Sequence, residues 1–116
     1  MYSGTLHLKR VLAHAALVFF WVQPLSVFAQ QTVEVIIQGY QFQPKVAQIQ
    51  VGDTVKWVNR EKRTSHSVVL PSDQGGESER FFPDESWQRR FDTPGRYAYH
   101  CGPHPEMAGE VMVSAP

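Results

Sequence analysis

Cysteine is nearly absent from this sequence, since one occurs in 116 residues, at Cys101. A single cysteine excludes an internal disulfide framework. Long apolar runs are lacking too, because the one near the N-terminus, Val11 to Val22, is shorter than the roughly 20 residues that span a bilayer. There is also no basic run with interleaved aromatic residues, which a nucleic-acid surface needs. We therefore expect neither stable membrane insertion nor nucleic-acid binding.

The first 29 residues have the pattern of a secretory signal peptide. Lys9 and Arg10 form a basic start, Val11 to Val22 is an apolar segment, and Val27-Phe28-Ala29 offers small residues where a signal peptidase cleaves. We expect residues 1–29 to be removed and residues 30–116 to form one domain in the periplasm. An uncleaved membrane anchor is the alternative, and the shortness of the apolar segment disfavours it.

The rest of the chain consists of short strand-like segments separated by turn residues, which is typical of an all-β sandwich or barrel. We expect about seven strands, with Phe42 and Trp57 in the core. The polar stretch from Pro71 to Ser78 has no periodicity and is predicted to be a mobile loop. The clearest strand patterns are Thr32 to Ile37, Ala47 to Val51, Thr54 to Asn59, Ser86 to Phe91, Arg96 to Tyr99 and Glu110 to Val113.

The nine residues from Tyr99 to Met107 concentrate the side chains that can bind a metal. Cys101, His104 and Met107 follow one another at three-residue spacing and offer a thiolate, an imidazole and a thioether. Copper that alternates between Cu(I) and Cu(II) is well served by two imidazoles and a thiolate in one plane with a weak axial thioether. The motif therefore predicts a copper ligand loop that lacks one imidazole.

The missing imidazole has two candidates in residues 30–116, His66 and His100. His100 adjoins Cys101, and neighbours on a strand point to opposite faces, so the two residues cannot easily share one metal. His66 opens an apolar run that ends at Leu70 and is the better candidate. We expect His66, Cys101, His104 and Met107 to hold one copper ion.

Three segments of the chain resemble the cupredoxins, and more narrowly the amicyanins. They are Asp53 to Glu61, His66-Ser67-Val68 and Tyr97 to Met107. The resemblance implies a cupredoxin-like (plastocyanin-like) Greek-key β-sandwich. It also implies a periplasmic protein that carries one electron on a mononuclear type 1 copper centre. Two positions depart from the pattern, because Ser67 stands where the family usually has Asn and Glu106 stands where amicyanin has an aromatic residue.

The resemblance further implies redox proteins as partners, such as a donor dehydrogenase and a c-type cytochrome acceptor. They would meet a monomer at the apolar rim that Pro103 and Pro105 form around His104. A periplasmic copper carrier or buffering protein is the alternative, because the ligands alone do not say whether electrons or ions are delivered.

Enzyme functions are less well supported by the sequence. A hydrolase with Cys101 as nucleophile and His104 or His100 as base lacks a third orienting group and a helix N-terminus to activate the thiol. A dinuclear copper centre would need a second cysteine, and a multicopper oxidase would need paired His-x-His ligands, neither of which is present. We therefore expect no enzymatic activity.

Overall fold

The computed structural model of this protein describes residues 3–5, 11–24 and 29–116. Within them, every regular element except one short 3-10 turn is a β-strand. The strands are β1 (Thr32–Gln38), β2 (Gln41–Gln43), β3 (Val46–Gln50), β4 (Thr54–Asn59), β5 (Ser86–Arg90), β6 (Gly95–His100) and β7 (Ala108–Ser114). The prediction of an all-β domain with about seven strands is confirmed.

The strands form two sheets, in the orders β2-β1-β4-β5 and β3-β7-β6. β1 runs parallel to β4, so both strands end at the same edge of their sheet. β6 runs antiparallel to β7, which brings the end of β6 next to the start of β7. Contacts from Tyr40 to both Thr64 and His104 show that the turn after β1, the loop after β4 and the β6–β7 loop meet at one end of the sandwich.

The core between the sheets follows the alternation of side chains along the strands. In β4, Val55, Trp57 and Asn59 share one face, and all three are fully buried. Phe42 is also buried, and the Trp57 ring packs edge-on against Tyr99 with 5.4 Å between ring centroids. Burial of each large aliphatic or aromatic side chain stabilises the fold by roughly 1.5–3 kcal/mol. Trp57 is thus a core residue, as predicted.

The stretch from Pro71 to Ser78 is anchored to the sandwich, which the sequence did not reveal. It contains a 3-10 turn, Ser72–Gln74, whose Gln74 carbonyl accepts a hydrogen bond from the Arg89 guanidinium. The Leu70 N–H donates to the Gly76 carbonyl at 2.9 Å, and the Ser78 N–H donates to the Val68 carbonyl at 2.8 Å. Residues 76–78 therefore run alongside residues 68–70, and the prediction of a mobile loop missed this pairing.

The described part of the N-terminal region lies outside the strands. Residues 11–24 form neither helix nor strand and are exposed. In the part of the chain that the structure describes, no helix has the length and apolar character needed to cross a membrane. Lys9 and Arg10, together with Val27 and Phe28 of the predicted cleavage sequence, lie outside the described residues.

Candidate metal centre

His66 is delivered to the end of the sandwich by a loop that Asn59 holds in place. The buried Asn59 amide donates to the Thr64 carbonyl at 2.7 Å and to the Phe81 carbonyl at 3.1 Å, and its oxygen accepts the Glu61 N–H at 2.9 Å. His66 itself exchanges two backbone hydrogen bonds with Phe81. Its side chain is fully buried. Asn59 and Phe81 therefore hold the backbone that carries the His66 imidazole.

Cys101 is the first residue after β6 and begins a short, closed loop. Its N–H donates to the Met107 carbonyl at 2.9 Å, and the Met107 N–H donates to the His104 carbonyl at 2.9 Å. Cys101 and Met107 are both buried, whereas His104 is half-buried. These two hydrogen bonds bring the three side chains that the motif predicted into one turn of chain.

The histidines and the cysteine converge on one point. The Cys101 sulfur lies 3.4 Å from Nδ1 of His66 and 3.6 Å from Nδ1 of His104. One ligand atom from each of these residues lies within 4.8 Å of the others, and Met107 belongs to the same buried cluster as Cys101. His100 is exposed and takes no part in this group. The structure thus brings His66, and not His100, next to Cys101 and His104.

Burial favours the neutral form of the His66 imidazole. Burial lowers the pKa of His66, the Glu61 carboxylate opposes this shift, and His104 adds to it. The His66 Nε2 atom lies 3.5 Å from a Glu61 oxygen, without a full hydrogen bond to any described residue. An imidazole must be neutral to bind a metal through its ring nitrogen, so His66 is prepared for that role.

The donor set fits a copper ion better than a harder metal. Two imidazole nitrogens and a buried thiolate that lie close together, with a buried thioether nearby, match the soft ligand combination of blue copper sites. The Glu61 carboxylate lies 3.5 Å from Nε2, on the side of the ring where metal-binding histidines commonly have an outer carboxylate neighbour. The residues present therefore suit a type 1 copper ion.

Tyr40 is a neighbour of the site that the sequence did not reveal. It follows Gly39 in the β1–β2 turn, where both residues have positive φ (55° for Tyr40), as type I′ hairpin turns require. Its ring packs edge-on against His104, with 5.1 Å between centroids, and its hydroxyl lies 3.2 Å from Thr64 Oγ1. Only a long-range contact gives Tyr40 this place, so no local motif could have indicated it.

A seven-stranded sandwich with a His-Cys-His cluster at one end defines a mononuclear copper protein of the cupredoxin class. Residues 29–114 match the family described as copper binding proteins, plastocyanin/azurin family. The chain belongs to this family. It is accordingly a copper electron-transfer protein with one type 1 copper ion, and not an enzyme.

Proteins that are similar in sequence or structure support this assignment. The chain is 34% identical to amicyanin from Paracoccus denitrificans over 89 residues, which cover 73% of this chain and 67% of that protein. It is 36% identical to plastocyanin from Scenedesmus fuscus over 84 residues, 62% of this chain and 85% of that one. A reduced Cu(I) form at pH 4 of an amicyanin mutant aligns with a TM-score of 0.68 and 31% identity, over 75% and 86% of the two chains.

Proposed function

We propose that this protein is a periplasmic one-electron carrier in which His66, Cys101, His104 and Met107 bind the copper ion. The observation that carries the proposal is the convergence of two Nδ1 atoms on the buried Cys101 sulfur, at 3.4 and 3.6 Å. Bound copper supplies a one-electron couple that these side chains alone do not have. The chain supplies a fixed arrangement of ligands.

Two of the proposed ligands are held by the sandwich, and this support suits electron transfer. His66 follows a loop pinned by Asn59, and Cys101 directly follows a strand, so both are supported by the sandwich. Sites built on regular elements keep their geometry more precisely than sites on free loops. Little rearrangement between oxidation states means a low barrier to gaining or losing an electron.

His104 is the proposed point of exit for the electron. It is the half-buried member of the His-Cys-His cluster, and it lies between the partly exposed Pro103 and the exposed Pro105. The half-exposed Tyr40 extends this apolar rim. Weak redox encounters use small interfaces, below about 1,200 Å² in total. We propose that a donor dehydrogenase and a c-type cytochrome acceptor dock here in turn on a monomer.

We also propose that residues 1–29 are a signal peptide that directs the protein to the periplasm. Two observations support it: the family match begins at residue 29, and the apolar segment from Val11 to Val22 is exposed and contributes to no strand. Mass spectrometry of the protein from a periplasmic extract should give a chain that begins at Gln30. An intact N-terminus in that extract would contradict the proposal.

Copper loading tests the proposed ligands. Cu(II) added to the metal-free protein should produce intense visible absorption, because the Cys101 thiolate transfers charge to it, and the colour should disappear on reduction. Cys101→Ser should abolish the band. His66→Ala should remove it or change it strongly, whereas His100→Ala should keep it, because exposed His100 lies outside the cluster. A correctly folded wild-type protein that stays colourless with Cu(II) refutes the ligand set.

Metal exchange separates electron transfer from copper delivery. An electron carrier should keep its copper through repeated oxidation and reduction in the presence of a competing chelator. A copper carrier should lose most of it within the same period. Rapid loss from the wild-type protein would therefore favour the carrier function over the one proposed.

A further inference from the structure

A buried serine and a surface glutamate connect the two chain segments that deliver Cys101 and His66. The Gly102 N–H donates to Ser67 Oγ at 3.0 Å, and the Ser67 hydroxyl donates to Glu77 Oε1 at 2.9 Å. Ser67 is fully buried. Ser67 directly follows His66 and Gly102 directly follows Cys101, so this chain of hydrogen bonds links the residues next to two proposed ligands.

The glycine at position 102 is matched to this arrangement. A Cβ atom at Gly102 would overlap both the Glu77 carboxylate and the Ser67 hydroxyl. The φ of Gly102 is not positive, so the backbone conformation does not require glycine there. The space that a side chain would occupy is instead filled by the carboxylate and the hydroxyl.

The anchored loop presents Glu77 to Ser67. Val69 and Glu77 form an antiparallel bridge, and the Val68 N–H donates to Ser78 Oγ at 2.9 Å. With the Gly76 and Ser78 backbone bonds described above, residues 76–78 are held beside the strand-like run that follows His66. The position of the Glu77 carboxylate is thus set by the fold.

We infer that Glu77 is a positioning residue of the copper centre, acting through Ser67 on the Gly102 amide. The inference rests on the proposed ligand set. The hydrogen bonds hold the start of the ligand loop against the His66 segment before any metal binds. The carboxylate also places a negative charge beside the centre, which stabilises the more positive Cu(II) state relative to Cu(I) and lowers the reduction potential.

We call the hydrogen-bond chain from Glu77 through Ser67 to the Gly102 amide the tether. It is tested in the metal-free protein by NMR hydrogen exchange of the Gly102 amide. A typical hydrogen bond contributes about 1 kcal/mol net, which corresponds to about fivefold in a local opening equilibrium. Ser67→Ala should therefore speed Gly102 exchange about fivefold, and Glu77→Ala should speed it about threefold. Glu77→Gln keeps an acceptor for the Ser67 hydroxyl and should stay within about twofold of wild type.

The charge is tested by the reduction potential of the copper-loaded variants. Glu77→Gln and Glu77→Ala should both raise the potential, because both remove the negative charge. Glu79→Gln, an exposed carboxylate on the same segment with no side-chain hydrogen bond to a described residue, is the matched control and should change it less. A purely structural role for Glu77 would leave the potential of Glu77→Gln at the wild-type value.

The outcomes separate this inference from the proposed function. A wild-type protein without the visible band refutes the ligand set, whatever the variants do. Normal colour together with unchanged Gly102 exchange in Ser67→Ala and Glu77→Ala overturns the tether. Equal potentials for Glu77→Gln and Glu79→Gln overturn the role of the charge. If the tether is present, Gly102→Ala should also cost less stability in a Glu77→Ala background than in wild type, because one of the two overlaps is gone.

Discussion

Asn59 is the residue on which the placement of His66 depends most directly. An asparagine at the end of a strand can cap that strand or stabilise the following loop, and the sequence does not distinguish the two roles. In the structure its side chain makes three hydrogen bonds to the backbone of Glu61, Thr64 and Phe81. It is fully buried, so water cannot replace it as a partner.

Asn59→Ala should strongly destabilise the protein. The change leaves the Thr64 carbonyl and the Glu61 N–H without their Asn59 partner and removes one of the two hydrogen bonds to the Phe81 carbonyl. Each unsatisfied buried group costs about 1–3 kcal/mol. We expect the free energy of unfolding to fall by about 2–5 kcal/mol, measured by urea denaturation of the metal-free protein. Gln88→Ala, at an exposed position of β5, should change it by less than about 0.5 kcal/mol. Similar losses in the free energy of unfolding for the two variants would show that Asn59 does not hold the loop.

At the scale of strands, the sequence predicts what depends on local alternation and misses what depends on distant pairing. The patterns in β1, β3 and β4 can be read from the sequence because one face of each strand is buried, and that of β5 because partly buried residues alternate with exposed ones. The apolar run from His66 to Leu70 pairs with Phe81, Glu77 and His100 through isolated bridges rather than as a regular strand. The difference lies in which backbone groups come alongside, and single-segment patterns do not contain that information.

Asp53 connects two of these elements in a way that depends on pH. Its carboxylate accepts the Gln31 N–H and the Gln50 N–H, each at 2.9 Å, and so ties the chain before β1 to the end of β3. These hydrogen bonds lower the pKa of Asp53, with the Gln31 bond as the largest cause. A carboxylate with a lowered folded-state pKa contributes its full stability above the unfolded value, near pH ~3.9.

The contribution of Asp53 should therefore be present at neutral pH and disappear as the pH falls through its folded-state pKa. Asp53→Asn should destabilise the protein at pH 7, because its amide cannot accept both N–H groups. The difference from wild type should shrink in acid, as wild type loses its carboxylate. Urea denaturation of wild type and Asp53→Asn from neutral to acid pH measures this difference in stability. Asp73→Asn, in the exposed 3-10 turn, is the control. A difference that stays constant with pH would contradict the assignment.

At the scale of the whole molecule, the four proposed ligands are evident from sequence because three sit in one short motif. The residues around them are not. Tyr40, Glu61 and Glu77 come from a turn and two loops, and each reaches the site through contacts between residues far apart in the chain. The sequence thus predicts the metal chemistry, whereas the surroundings that orient the ligands depend on the assembled sandwich.

Charges of both signs lie at the end of the molecule where the electron is proposed to leave. Glu106 is exposed on the ligand loop, and Lys62 and Arg63 are exposed on the loop that leads to His66. None of the three takes part in a salt bridge between described residues. Charges at the rim of an interface act mainly on the encounter rate and its salt dependence. Their arrangement should therefore orient a partner rather than simply attract it.

Small charged oxidants test this arrangement without knowledge of the natural partner. With the anion ferricyanide at low ionic strength, Glu106→Lys should raise the second-order oxidation rate at least about threefold, and Lys62→Glu with Arg63→Glu should lower it similarly. With a cationic cobalt complex as the oxidant, Glu106→Lys should instead lower the oxidation rate, and Lys62→Glu with Arg63→Glu should raise it. Both effects should shrink as salt screens the charges. Arg96→Glu, near the opposite end of β6, is the control. An equal or larger effect of Arg96→Glu would mean that the electron leaves elsewhere than at His104.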